Sequence, residues 1–178
     1  TQHESEINMA FFVNSSNIGV DLNNTSTTAQ FALGSIVRGS DGSMWQYVIA
    51  ATTISAYAVI DINASGSANM ATLTALDGSS NYRQLAVAQN AFAPSDYGWV
   101  PVHGVGGPNG TFKVMVSGSV SVGLTLYIAG SGRLNFNTAA TSGIVDGIAV
   151  KTVNDVADTV MTACPCIITW PKTRSLGA

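Results

Sequence analysis

Residues Phe112–Ile128 read FKVMVSGSVSVGLTLYI, and the parity of that run decides the fold. Every even position is apolar or glycine: Phe112, Val114, Val116, Gly118, Val120, Val122, Leu124, Leu126 and Ile128. The odd positions hold Lys113, Met115, three serines, Gly123, Thr125 and Tyr127. A period of two sends alternate side chains to opposite faces of an extended chain, so this is β-structure with one buried face. The run is long for one strand, which predicts a break near Gly118 or Gly123. A two-residue hairpin would flip the buried parity. Parity is kept, so the spacing predicts a bend or an odd-length connection.

The same reasoning extends outward in both directions. Ser35–Arg38 and Met44–Ala50 flank GSDGS, whose Asp41-Gly42 is a hairpin turn signal. Ala56–Ile62, Met70–Leu76, Arg83–Gln89, Gly98–His103, Gly132–Phe136, Gly143–Val150 and Thr159–Trp170 follow, making about ten strands. Capped amphipathic windows long enough for a helix are absent. Short strands with turn signals at this spacing predict an all-β fold, a single small antiparallel sandwich or barrel of jelly-roll or β-tulip type. That domain is expected over residues 33–178. Residues 1–32 are polar, with apolar content bunched at Met9–Val13, and read as an extended N-terminal arm. Such an arm suits wrapping over a neighbour, with Phe11, Phe12 and Val13 as anchors.

Composition narrows the function. Only 10% of the 178 residues are charged, against ~25% in an ordinary soluble domain. Serine, threonine and asparagine fill the gap with 49 residues, beside 18 glycines. A hydroxyl- and amide-rich surface fits one covered by partners, because interface cores lose charge. Seven basic residues against ten acidic ones give a net charge of -3, and the basic ones are scattered. No basic face is available to displace the counterions of a nucleic acid. The apolar runs are shorter than a membrane helix, and no signal-peptide pattern opens the chain.

Several local patterns suggest chemistry, and each has a plainer reading. The glycines of GVGGPNG (104–110) lack the following helix of a dinucleotide fingerprint and read as a loop. His103 and Asp96 lie seven residues apart with no nucleophile elbow, so a hydrolase triad is not expected. Cys164 and Cys166 flank Pro165; adjacent same-face positions are about 6.7 Å apart, poor for a disulfide, and two histidines complete no metal set. They read as buried thiols, with Pro165 indicating an edge strand or bulge. Asp155 and Asp158 lack the rest of a calcium loop. The sequons at Asn14, Asn23, Asn24, Asn63 and Asn109 are expected from composition alone. No catalytic, metal-binding or cofactor-binding residues are expected. Tyr97 and Trp99, two apart and so on one face, suit either a sugar platform or a subunit contact.

The order of segments also resembles a known family. YGWVPVHG (97–104), SGSVSVGLTLYIAGSGRL (117–134), GIVDGIA (143–149), DTVMTACPCII (158–168) and the upstream LGSIVRGSDGSMWQYVIAATTISAYAVIDI (33–62) carry the likeness. Together they resemble the small all-β decoration, or cement, proteins encoded beside the major capsid protein in tailed bacteriophages. The resemblance covers roughly residues 33–170 and is one of turns and alternation. It implies a structural virion protein and no enzyme, cofactor or metal. The expected place is the outer surface of the phage head, where a homotrimer would stabilise contacts between major capsid protein subunits. Partner contacts are then expected at Phe11, Phe12, Val13, Tyr97 and Trp99, with neither nucleic acid nor membrane as partner. The alternative is a tail, fibre or adhesin module that binds host-surface glycans through Tyr97 and Trp99.

Overall fold

The computed structural model describes residues 20–72, 84–105, 112–118, 122–123, 125–136, 143–151 and 161–174. They form β1 (Thr25–Ser26), β2 (Ile36–Arg38), β3 (Met44–Ala50), β4 (Val59–Ile62), β5 (Ser67–Met70), β6 (Gln84–Val87), β7 (Tyr97–Gly104), β8 (Phe112–Ser117), β9 (Leu126–Gly130), β10 (Arg133–Phe136), β11 (Ile144–Val150) and β12 (Met161–Arg174). Among the described residues there is no helix, and the all-β barrel expected from the periodicity is what the chain forms.

The long alternating run is divided as its glycines suggest. β8 stops at Ser117 and β9 starts at Leu126. Between them Gly118 and Gly123 take φ of +80° and +81°, a conformation that side chains with a Cβ resist. Parity survives the break: Phe112, Val114, Val116, Leu126 and Ile128 all enter one core. Val122, at the break itself, is 57% exposed.

The pairings close on themselves. β7, β3, β5, β4, β6 and β12 are joined in that order, and β12 returns to β7, completing a six-stranded barrel. From β12 a further path runs through β11, β9, β10 and β8 and back to β12. Two of the pairings, β3 with β5 and β10 with β8, are parallel, in an otherwise antiparallel arrangement. Among the described residues β2 pairs only with β3 and β1 only with β7.

Two cores follow. One draws on the barrel strands alone: Val48 and Ala50, Ile60 and Ile62, Ala68, Ala86, Val100 and Val102, with Ile54, Ala58, Ala88 and Phe92. The other takes the opposite face of those strands (Trp45, Tyr47, Val59, Leu85, Val87, Trp99) together with residues of β8–β12. Barrel strands buried on both faces read as nearly continuous apolar segments, and all four residues of β4 are buried. β7 divides as expected, with Trp99 on one face and Val100 and Val102 on the other.

One expectation is extended and one is revised. A strand not marked by the periodicity, β5, occupies Ser67–Met70, and residues 73–76 of the strand expected at Met70–Leu76 lie outside the described residues. The cause is an Asx turn: Asn63 Oδ1 accepts from the backbone N–H groups of Ser65 and Ser67, each at 3.0 Å, so the chain reverses directly after β4. Pro165 does not mark an edge strand, since β12 is paired on both sides there. It faces Lys113, whose N–H and carbonyl are both taken by the Gln89 side-chain amide at 3.0 Å. Lys113 therefore asks nothing of the proline. On the other side Pro165 O accepts from Lys151 N at 2.8 Å, just beyond the end of β11.

The described part of the segment read as an arm, residues 20–32, lies against the barrel. Leu22 is fully buried in the shared core, Thr25 and Ser26 pair with Gly98 and Tyr97, and Asn90 Nδ2 donates to Asn23 O at 2.7 Å. The composition change at residue 33 is therefore not a boundary in packing. Leu22→Ala should destabilise the domain by about 2–5 kcal/mol, measured by chemical denaturation. A chain beginning at residue 33 should unfold at lower denaturant concentration than one beginning at residue 20.

Candidate functional site

The odd positions of β3 and β7 share a face. Their antiparallel register sets Tyr47 opposite Trp99 and Ile49 opposite Tyr97, which brings Tyr47, Tyr97 and Trp99 together. Tyr47 and Trp99 have ring centroids 5.0 Å apart, and Tyr47 stacks on Tyr97 at 6.2 Å with 18° between planes. Phe31 closes the cluster from the 20–32 segment, edge-on to Tyr47 at 5.3 Å and tilted on Trp99 at 5.2 Å. Such offset and edge-to-face pairs stabilise beyond the area they bury. The Gln30 backbone N–H donates to the Tyr47 hydroxyl at 3.0 Å, which anchors the segment beside the rings.

An open pocket of about 270 Å³ lies between these rings and the segment. Its lining adds Asp21, Asn24, Thr25, Ser26 and Gln30 to the aromatic wall. Of the aromatic residues singled out from sequence, Tyr97 is half-buried on this wall. Trp99 is only 3% exposed and serves mainly as its foundation. Sequence reasoning did not pick out Tyr47 or Phe31. Tyr47 carried the signal of strand alternation, whereas the contact of Phe31 depends on a fold-back that no local pattern announces. Phe11, Phe12 and Val13 lie outside the described residues.

The patterns that suggested chemistry are kept apart. Asp96 Oδ2 accepts from Ala93 N at 2.8 Å and so closes its own turn at the start of β7. His103 sits near the other end of that strand, about 23 Å away at 3.3 Å per residue. Its ring lies 6.1 Å from that of Trp170. Trp45 Nε1 donates to Ser43 Oγ at 2.7 Å and Ser43 Oγ donates to Asp41 Oδ1, which ties the β2–β3 hairpin to the core. Among the described residues no three His, Cys, Asp or Glu side chains gather as a metal site. Asp155 and Asp158 lie outside that set.

Cys164 and Cys166 are free, buried thiols on the core face of β12, as the alternation predicted. Burial pushes the Cys166 thiol up from 9.0 to about 12, helped by the neighbouring Cys164 and opposed by Lys151. Burial raises Cys164 as well. A thiol whose folded pKa exceeds its unfolded value favours the folded state fully below the unfolded pKa. That contribution is lost as pH rises through the window from 9.0 to about 12. Urea midpoints should fall across this window in the wild type and fall less in Cys166→Ala. Both thiols should resist alkylation until the chain unfolds.

Comparison with known proteins adds no family assignment: no family model, curated protein or solved structure matches this chain.

Proposed function

We propose that the protein is a structural component of a phage particle, a decoration or cement protein that binds the outer surface of the head. In this reading it acts as a homotrimer, stabilises contacts between major capsid protein subunits, and has no catalytic role. The observation that carries the reading is the surface made by residues 22–37. These sixteen consecutive positions hold no charged side chain, and they run into β2, an edge strand with one partner. Phe31, Leu33 and Ile36 stand exposed along them, Ile36 at 48%. Depletion of charge around exposed apolar side chains is the composition of an interface core. An edge strand adds backbone groups to which a partner strand can bond.

The scarcity of charge over the whole chain supports the same reading. Uncharged stretches at 42–60 and 114–132 accompany the one at 22–37. The family resemblance of residues 33–170 supplies the identity of the partner. A barrel with two apolar cores and no disulfide is also a scaffold that can stand outside a cell.

Sedimentation with expanded capsid shells tests the proposal directly. The full chain should pellet with shells and should run as a trimer in native mass measurement. Ile36→Asp, which places a charge on an exposed position, should leave the fold intact and weaken shell binding by at least about tenfold, or about 1.4 kcal/mol. A Phe11→Ala/Phe12→Ala variant should lose affinity too, if those side chains anchor the arm. Failure of the full chain to co-sediment would overturn the assignment.

A further inference from the structure

The pocket beside Phe31 and Tyr97 borders on the same 22–37 stretch, and its lining has a definite chemistry of its own. We propose that it binds one neutral sugar ring, a hexopyranose, with the sugar's apolar C–H face on Phe31 and Tyr97 and its hydroxyls on Asn24, Thr25 and Gln30. This inference does not rest on the capsid reading.

Four observations support it. First, apolar ring surface is held out to solvent and fixed in place: Phe31 is 37% exposed while its ring is packed on both Tyr47 and Trp99. A rigid aromatic loses little conformational entropy when a ligand stacks on it. Second, hydrogen-bonding groups are available at the same place. Asn24 Oδ1 accepts from Thr25 N at 3.0 Å, but among the described residues the Asn24 amide N–H groups, the Thr25 hydroxyl and the Gln30 side-chain amide have no partner. Amides and hydroxyls that both donate and accept suit the alternating roles of sugar hydroxyls. Third, among the described residues the lining holds one charge, Asp21, whose Oδ1 already accepts from Asn23 N at 2.9 Å. With no cationic side chain among those residues, the lining favours a neutral sugar over an anionic sugar or phosphate. Fourth, the volume of about 270 Å³ lies just below the usual range of roughly 300–1,000 Å³ for larger ligands, which suits a single ring.

The same rings do not make a box for a quaternary ammonium ion. Such a box presents several ring faces to the cation. Here Tyr47 and Trp99 are 2% and 3% exposed, with their surfaces spent on each other and on Phe31.

The test is a titration of the isotope-labelled full chain, followed by amide NMR shifts. The probes are methyl glucoside, methyl galactoside, methyl mannoside and N-acetylglucosamine, with choline chloride as contrast. At least one sugar should produce saturable shifts confined to residues 24–31 and 97–99, at about millimolar affinity as expected for a single ring. Gln30→Ala and Asn24→Ala should each weaken that binding by roughly threefold to tenfold. Phe31→Ala should abolish it. Should Phe31→Ala unfold, Gln30→Ala decides alone, because it keeps the backbone N–H that holds Tyr47. No response to any of the four sugars, a response to choline alone, shifts centred elsewhere, or equal binding by wild type and Gln30→Ala would each overturn the proposal.

Discussion

A buried backbone N–H or C=O that finds no partner costs about 1–3 kcal/mol, more than a typical hydrogen bond contributes net, and β12 multiplies that constraint over fourteen residues. Its solution organises the molecule. On one side β11 covers it from Cys166 to Arg174. Along the chain it also meets β8 from Met161 to Cys166, β7 at Ile168 and Thr169, and β6 at Lys172. Because β12 belongs to both closed paths, neither can be removed without exposing ladder groups of the other. At the crossover the strand is bent. Gly147 takes φ +83° and the register slips there, with the Thr169 carbonyl so close that a Cβ at Gly147 would sit 2.6 Å from it. Trp170, opposite, holds φ +50° and is turned outward. The bulge re-aims one side chain and lets a single strand serve both paths.

Two cores back to back explain the composition better than any single surface does. The barrel core is filled largely by alanine and β-branched residues, which fit a narrow interior, while the shared core takes Trp45, Trp99 and Tyr47. A strand buried on both faces has few positions for a charge, Asp61 of β4 being the exception in these strands, and this keeps lysine and glutamate out of much of β3, β4, β6 and β7. Part of the low charge is therefore a demand of the fold. The part that is not, the exposed side chains among residues 23–36, is what bears on partners.

Legibility in the sequence follows the range of the interaction. The all-β class, the buried parity of Phe112–Ile128 and the divided faces of β7 depend on neighbours one or two residues away, and period two was enough to read them. The start of β5 required recognising Asn63 as an Asx-turn residue, a local signal outweighed by the apolar residues after Met70. The closure through β12, the two parallel pairings and the return of residues 20–32 are contacts between distant segments, which no window along the chain contains. Pro165 shows the same limit. Its rule about edge strands is sound, but whether a neighbour needs its missing donor is decided by Gln89, dozens of residues away.

The aromatic pair Tyr97 and Trp99 was readable as a pair and not as a site, and the reason is physical. Two aromatics on one face of a strand can be core or surface according to what is laid over them. Here the overlay is partial: Leu22 seals one end of the 20–32 segment into the shared core, while Gln30 and Phe31 hold the other end against Tyr47. Between those two anchors β1 makes only two ladder pairs with β7. That span is too short to cover the rings, so the polar side chains of residues 21–26 stand at the rim of a pocket that has an apolar wall. A segment fixed at both ends and loosely bridged in the middle thus sets amide and hydroxyl groups beside aromatic surface. The core alone, which needs only Leu22 and Phe31, does not account for Asn24, Thr25 and Gln30.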